Sequence, residues 1–209
     1  MKTNLTHLIR YVITSLIIAA AAVDSNGQRS AADECATIEK IGGGIGSSLD
    51  NFAKVVQSAG FGAKKTKEDD GLTLLDMTGR IGNLRRCKLL TAANNEHGRT
   101  VHHAMIFMQE RAEWSELKAD YDKMKESLRV VYGEPKEIAE SFTGKEPQDD
   151  KERMEMIKSD KADFTTKYER GELTVMLSMT YTAEHGAHVG MLFIDKQVSE
   201  LILGTLERK

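Results

Sequence analysis

The period of the hydrophobic positions changes along the chain, and the changes mark out its elements. Leu49, Phe52, Ala53 and Val56 recur at steps of three and four, the apolar stripe of a helix of about three turns. Ser47 with Asp50 three residues on resembles a capping box, and Gly60 stands where a left-handed C-cap is wanted. The preceding IGGGIG run at 41–46 reads as a short strand start and a turn into that helix. The period then drops to two. Residues 64–67 form a polar, edge-like strand, and Asp69-Asp70-Gly71 is a hairpin turn. Residues 72–78 and 86–93 read as further strands, the latter with Cys87, Leu89 and Thr91 on one face and Arg86 and Lys88 on the other. After a turn at 94–98, Val101, His103, Met105 and Phe107 share a face of the next strand.

A second helix starts near Trp114, with Leu117, Tyr121, Met124, Leu128 and Val131 at helical steps, and Gly133 and Pro135 end it. Residues 143–161 are polar and read as a linker with a short helix around 151–157. The clearest strand of the chain follows, where Leu173, Val175, Leu177, Met179 and Tyr181 alternate with Thr174, Met176, Ser178 and Thr180. Residues 163–169 pair with it through Arg170-Gly171, and 189–194 follow the turn at Glu184-His185-Gly186. A last helix is expected over 196–206, with Val198, Leu201 and Ile202 inward.

These elements predict an α+β fold, an antiparallel meander sheet with helices packed on one face. Residues 66–73 (TKEDDGLT) resemble residues 166–174 (TKYERGELT) with one insertion, which suggests two similar α-β-β-β-α halves. Chance is the alternative, since Thr, Lys, Glu and Gly are common in hairpins. The expected organisation is a signal peptide at 1–28, a first helix/sheet/helix unit at 29–142 and a smaller hairpin/helix unit at 143–209 that shares its sheet or core.

The signal peptide is read from Lys2 and Arg10 ahead of an uncharged apolar run at 11–23, too short for a bilayer span of about 20 residues. Small residues at −3 and −1 place cleavage after Ala22 or after Gly27. No membrane span is expected after cleavage, and the location is periplasmic or secreted. Of 209 residues, 40% are hydrophobic and 29% charged, an ordinary globular balance able to bury a core without staples. Loss of Lys2, Arg10 and Asp24 leaves 27 basic and 31 acidic residues from position 29 on, a net charge of −4. That balance argues against nucleic acid as a partner.

The 41–61 run with GGGIGSSLDNFAKVVQSAGF, the strands after it, and Trp114 to Tyr121 followed by Leu128, Tyr132, Gly133, Glu134 and Pro135 resemble small exported proteins of Bacteroides-type bacteria. The resemblance covers residues 38 to about 195 and implies a fold and a compartment, with no reaction attached. The layout is also similar to the tandem helix-and-sheet modules of β-lactamase-inhibitor-like proteins, as architecture alone.

Catalytic motifs are scarce. The glycine run lacks the Lys-Ser/Thr of a phosphate loop, and no G-x-S-x-G, H-E-x-x-H or C-x-x-C occurs. His102 and His103, adjacent on a strand, point to opposite faces, while His185 and His188 flank a turn and could share a metal with Glu184; His97 lies in a loop. Surface histidines are the plainer reading, so no catalytic residue, cofactor or metal is assigned. Arg80, Arg85, Arg86 and Lys88 form a basic cluster, either a solvated face or a weak binding surface. Cys35 and Cys87 could bridge in an oxidising compartment, or stay a mobile thiol and a buried one. The leading expectation is an exported, non-catalytic protein that binds an unknown protein or envelope component. The alternative is an envelope hydrolase or metal-dependent enzyme using the scattered His and Asp residues.

Export makes a direct prediction. Mass spectrometry of protein purified from the envelope should find a chain starting between Val23 and Arg29. An intact Met1 on protein released only by detergent would rule the signal peptide out.

Overall fold

The computed structural model describes residues 31–69, 71–95 and 99–197. The signal segment, His97 and residues 198–206 of the last expected helix lie outside the described residues.

The described residues form helices α1 (Ala31–Gly44), α2 (Leu49–Ser58), α3 (Trp114–Tyr132) and α4 (Asp150–Lys158). The strands are β1 (Gly62–Asp69), β2 (Leu72–Ile81), β3 (Leu84–Asn94), β4 (His103–Phe107), β5 (Glu137–Phe142), β6 (Ala162–Arg170), β7 (Leu173–Thr182) and β8 (Gly186–Asp195). All eight pair antiparallel in one sheet, in the order β1-β2-β3-β4-β8-β7-β6-β5. The fold is therefore α+β, with four helices packed on an open meander sheet. None of these helices is long and apolar enough to cross a membrane.

Strand alternation puts one set of side chains under the helices. Leu75, Met77, Cys87, Leu89, Ile106, Val175, Leu177, Val189, Met191 and Phe193 join Ile38, Phe52, Val56, Leu117, Tyr121, Met124, Leu128 and Ile157 in a single core. Tyr121 and Tyr168 are large, fully buried rings whose hydroxyls keep partners, Thr166 Oγ1 at 2.7 Å and the Lys125 carbonyl at 2.8 Å. Buried hydroxyls without partners would cost more than the rings gain at those atoms.

The N-terminal reading needs correction. Residues 41–44 are the last turn of α1, neither strand nor turn. The glycines serve close packing: a Cβ on Gly42 would overlap the Tyr132 hydroxyl and crowd Leu173, and one on Gly44 would come within 2.8 Å of Phe52. A glycine run in a helix is costly in backbone entropy, and here it lets α1 lie tightly against its neighbours. The cap of α2 is Ser48, one residue later than expected, its hydroxyl accepting from the Asn51 N–H. Val101 also departs from its expected face. It belongs to the core through an isolated bridge to Ala93, whereas His103, Met105 and Phe107 lie on the opposite side of the sheet.

Glu34 of α1 is buried, yet it has partners: the Lys123 ammonium and the Ser127 hydroxyl, both on α3. It sits over Gly82 in the β2–β3 turn, where φ is +55° and a Cβ would strike the carboxylate stem. Beside it, the Cys35 thiol lies 3.8 Å from the Ser127 carbonyl, while Cys87 is fully buried on β3. Both are free thiols, so of the two states the sequence leaves open the structure holds the unbridged one. Burial pushes the Cys87 thiol up to about 12 and raises Cys35 as well, with Glu34 adding to the latter.

A two-fold axis normal to the sheet, between β4 and β8, would exchange β1 with β5, β2 with β6, β3 with β7 and β4 with β8. The halves are then α2 with β1–β4, and α3 with β5–β8, α4 being inserted between β5 and β6. The resemblance between residues 66–73 and 166–174 instead equates the β1–β2 hairpin with β6–β7, which that axis does not superpose. The boundary expected at 142/143 falls inside the second half, between β5 and α4.

Adjacent glycines test the helical assignment of this run. Gly43 has open space around its Cα, so Gly43→Ala should stabilise by roughly 0.5–1 kcal/mol through helix propensity alone. Gly42→Ala should destabilise by about 1–3 kcal/mol through overpacking. Urea midpoints read both; equal shifts would place the run outside a helix.

Candidate functional site

With four helices on one face, the other face of the sheet presents its own alternating residues. Its central row can be read across all eight strands from the register: Lys65, Asp76, Leu90, Met105, Leu192, Met176, Lys167, Glu137. Four apolar side chains span β3, β4, β8 and β7, flanked on each side by two charged residues. The next row adds Leu74, Ala92, His103, Ile194 and Thr174. Leu90, Ala92, Met176 and Leu192 are half-buried, while Leu74, Met105 and Ile194 are below one-tenth exposed without belonging to the helix-side core. Cross-strand apolar pairs of this kind hold a sheet together and also leave a surface that water wets poorly.

A charged chain borders the strip. The Lys88 ammonium lies 3.8 Å from Asp76 Oδ2 and 3.8 Å from Glu184 Oε1, and Glu184 Oε1 is 3.8 Å from His185 Nδ1. The β7–β8 turn delivers Glu184 and His185 to a lysine about a hundred residues earlier. Burial raises the Asp76 carboxyl above the usual carboxylate range, and Lys88 opposes that rise. The rings of Phe107, His185 and His188 pack edge to face at 4.9, 5.5 and 5.9 Å between centroids. His188 is fully buried. Its Nδ1 is 3.0 Å from the Gly186 carbonyl, so the neutral ring donates from Nδ1, and Nε2 has no hydrogen-bond partner.

Of the basic residues singled out in the sequence, Lys88 enters this cluster. Arg80 lies at the end of β2, and Arg86 is exposed with φ of +57° next to the irregular β2–β3 register. Arg85 stands between them in β3. Asp76 was missed, and Glu184 was considered only as a metal ligand beside His185 and His188. The hairpin register places Asp76 opposite Leu90 and hence diagonal to Lys88, a relation open to sequence reasoning; the approach of Glu184 depends on the fold.

The histidines separate into two pairs. His102 precedes and His103 begins β4, with His102 Nδ1 3.6 Å from Asp195 Oδ2, and His185 and His188 lie in the turn before β8 and at its start, about 20 Å away at strand rise. Among the described residues no group of three His, Cys, Asp or Glu side chains is placed to hold one metal ion. No protein-family model, curated protein or solved structure matches this chain.

That geometry has a pH signature. Burial holds the His188 ring down at about 4, against 6.5 when unfolded. Between those values the unfolded chain binds the proton and the folded chain does not, so stability is full above 6.5 and falls as pH drops toward 4, by up to about 3 kcal/mol. His103, also lowered by burial, acts in the same direction. His188→Asn should flatten this acid limb in urea midpoints taken from pH 7 to 4; an unchanged slope would mean the ring is hydrated.

Proposed function

We propose that this is an exported, non-catalytic binding protein, periplasmic or secreted and of the Bacteroides type, that meets a protein or other envelope component through the face of its sheet that none of the described helices covers. The observation that carries the reading is the central row, in which four apolar residues on adjacent strands are bracketed by charges on both sides. An apolar strip with a charged rim is how a protein surface combines burial with orientation. Export supports the reading through the partners it makes available. It rests on Lys2, Arg10 and the apolar run after them.

A second reading, an envelope hydrolase or metal-dependent enzyme, has one observation on its side: Asp76, Lys88, Glu184 and His185 converge at one place. Convergence of three or more polar groups is what a catalytic site requires.

Capture from native envelope with the exported chain as bait separates the two. Met176→Glu and Leu192→Glu, on half-buried positions of the strip, should abolish retention of whatever the unaltered chain retains, at an unchanged melting temperature. Identical retention by all three chains would overturn the binding reading. Hydrolytic turnover lost in Lys88→Met would favour the enzyme.

A further inference from the structure

We propose that the partner of the face left uncovered by the described helices is a second copy of this chain, docked face to face about a two-fold axis that runs parallel to the strands. The inference rests on the reading of that face as a binding surface and names what fills it.

The order of charges along the central row favours this partner. From β1 to β5 it reads Lys65, Asp76, Leu90, Met105, Leu192, Met176, Lys167, Glu137: positive, negative, four apolar residues, positive, negative. Two sheets facing each other at about 10 Å can be related by a two-fold axis lying between them in either of two directions. An axis across the strands sets each residue over its own copy, with Lys65 over Lys65 and Asp76 over Asp76. An axis along the strands reverses the row. Lys65 then lies over Glu137 of the second copy, Asp76 over its Lys167, Leu90 over its Met176 and Met105 over its Leu192. Within this row every charge meets its opposite and every apolar residue meets an apolar one.

An isologous interface must be complementary to itself, and a row that reverses its charges on reflection through its centre has that property. The size is adequate as well. Eight strands at about 4.8 Å spacing and seven residues at about 3.4 Å cover on the order of 900 Å², against about 800 Å² given by each partner to a standard interface. Aligned sheets pack within about 30° of each other, so the four apolar positions nearest the axis coincide best. Asp76 and Lys167 lie 2.5 strand spacings out, about 12 Å, where they fix orientation and reject the other axis.

A charge-swap cycle tests this in the exported chain, by light scattering after size separation at about 50 µM. The unaltered chain should be a dimer. Asp76→Lys and Lys167→Asp should each weaken association at least about tenfold, because each places like charges together twice in the symmetric dimer. Both changes in one chain should restore it. Within one chain β2 and β6 stand five spacings apart, about 24 Å, so the rescue can only be intermolecular. If either swap lowers the melting temperature, Glu137→Lys on the exposed edge strand replaces it, with the same expected weakening.

A monomer at this concentration, a dimer indifferent to the swaps, or a double variant as weak as the singles would overturn the proposal. So would a monomer that dimerises only when residues 198–209 are removed, since the chain's own C-terminal segment would then be the occupant. A monomer that still captures an envelope component through Met176 and Leu192 sinks the dimer and leaves the binding reading in place; a monomer that captures nothing sinks both.

Discussion

Five residue pairs between β4 and β8 turn two four-stranded meanders into one sheet, and the rest of the molecule depends on that seam. β4 is the shortest of the described strands, and it joins β3 to β8 with four of its five residues buried, two on each face. Ala104 and Ile106 belong to the core beneath the helices, whereas His103, Met105 and Phe107 belong to the free face. A one-residue slip at this seam would exchange those sets, placing a histidine on the helix side of the sheet and Ile106 in the strip. The apolar alternation on both sides of the seam is what forbids the slip.

The same seam explains why α3 carries the core. Its buried stripe of Leu117, Tyr121, Met124 and Leu128 lies against strands of the second half, and its other contacts reach back to α1. Glu34 on α1 faces Lys123 and Ser127 on α3, a buried carboxylate that is tolerable because a cation and a hydroxyl meet it. Glycine at position 82 gives that carboxylate room. One polar contact and the glycines at 42, 44 and 82 thus set how closely the first helix can approach. Their effect is steric, and no hydrophobic pattern announces it.

That is also where sequence reasoning stopped short. The strand at Leu173–Thr182 and the helix at Trp114–Tyr132 were legible because strict two-residue or 3.6-residue periodicity runs through each of them. The last turn of α1 was not, because three successive glycines have no pattern to read and their loop propensity points the wrong way. β5 was missed for a related reason: Glu137 to Phe142 is an edge strand, solvated on most of its length, with Ile138 exposed. The similarity of residues 66–73 to 166–174 pairs different hairpins from the ones the sheet order relates, because hairpin turns draw on few residue types. At the candidate site, Lys88 was in view from the start, but its partners arrive from a neighbouring strand and from a turn late in the chain.

Once the strand order is known, the charges of the free face acquire a meaning that composition conceals. The apolar centre is nearly symmetric about the β4–β8 seam, since Met105 and Leu192 flank it and Leu90 and Met176 follow. The charges are antisymmetric: Asp76 corresponds to Lys167, and Lys65 to Glu137. Methionine and leucine adapt to many surfaces, so the strip alone would bind without preference for direction. Charges that change sign across the seam remove that degeneracy, because a ligand turned end for end meets like charges on both flanks at once. The apolar row therefore supplies contact area, and the four flanking residues supply its polarity.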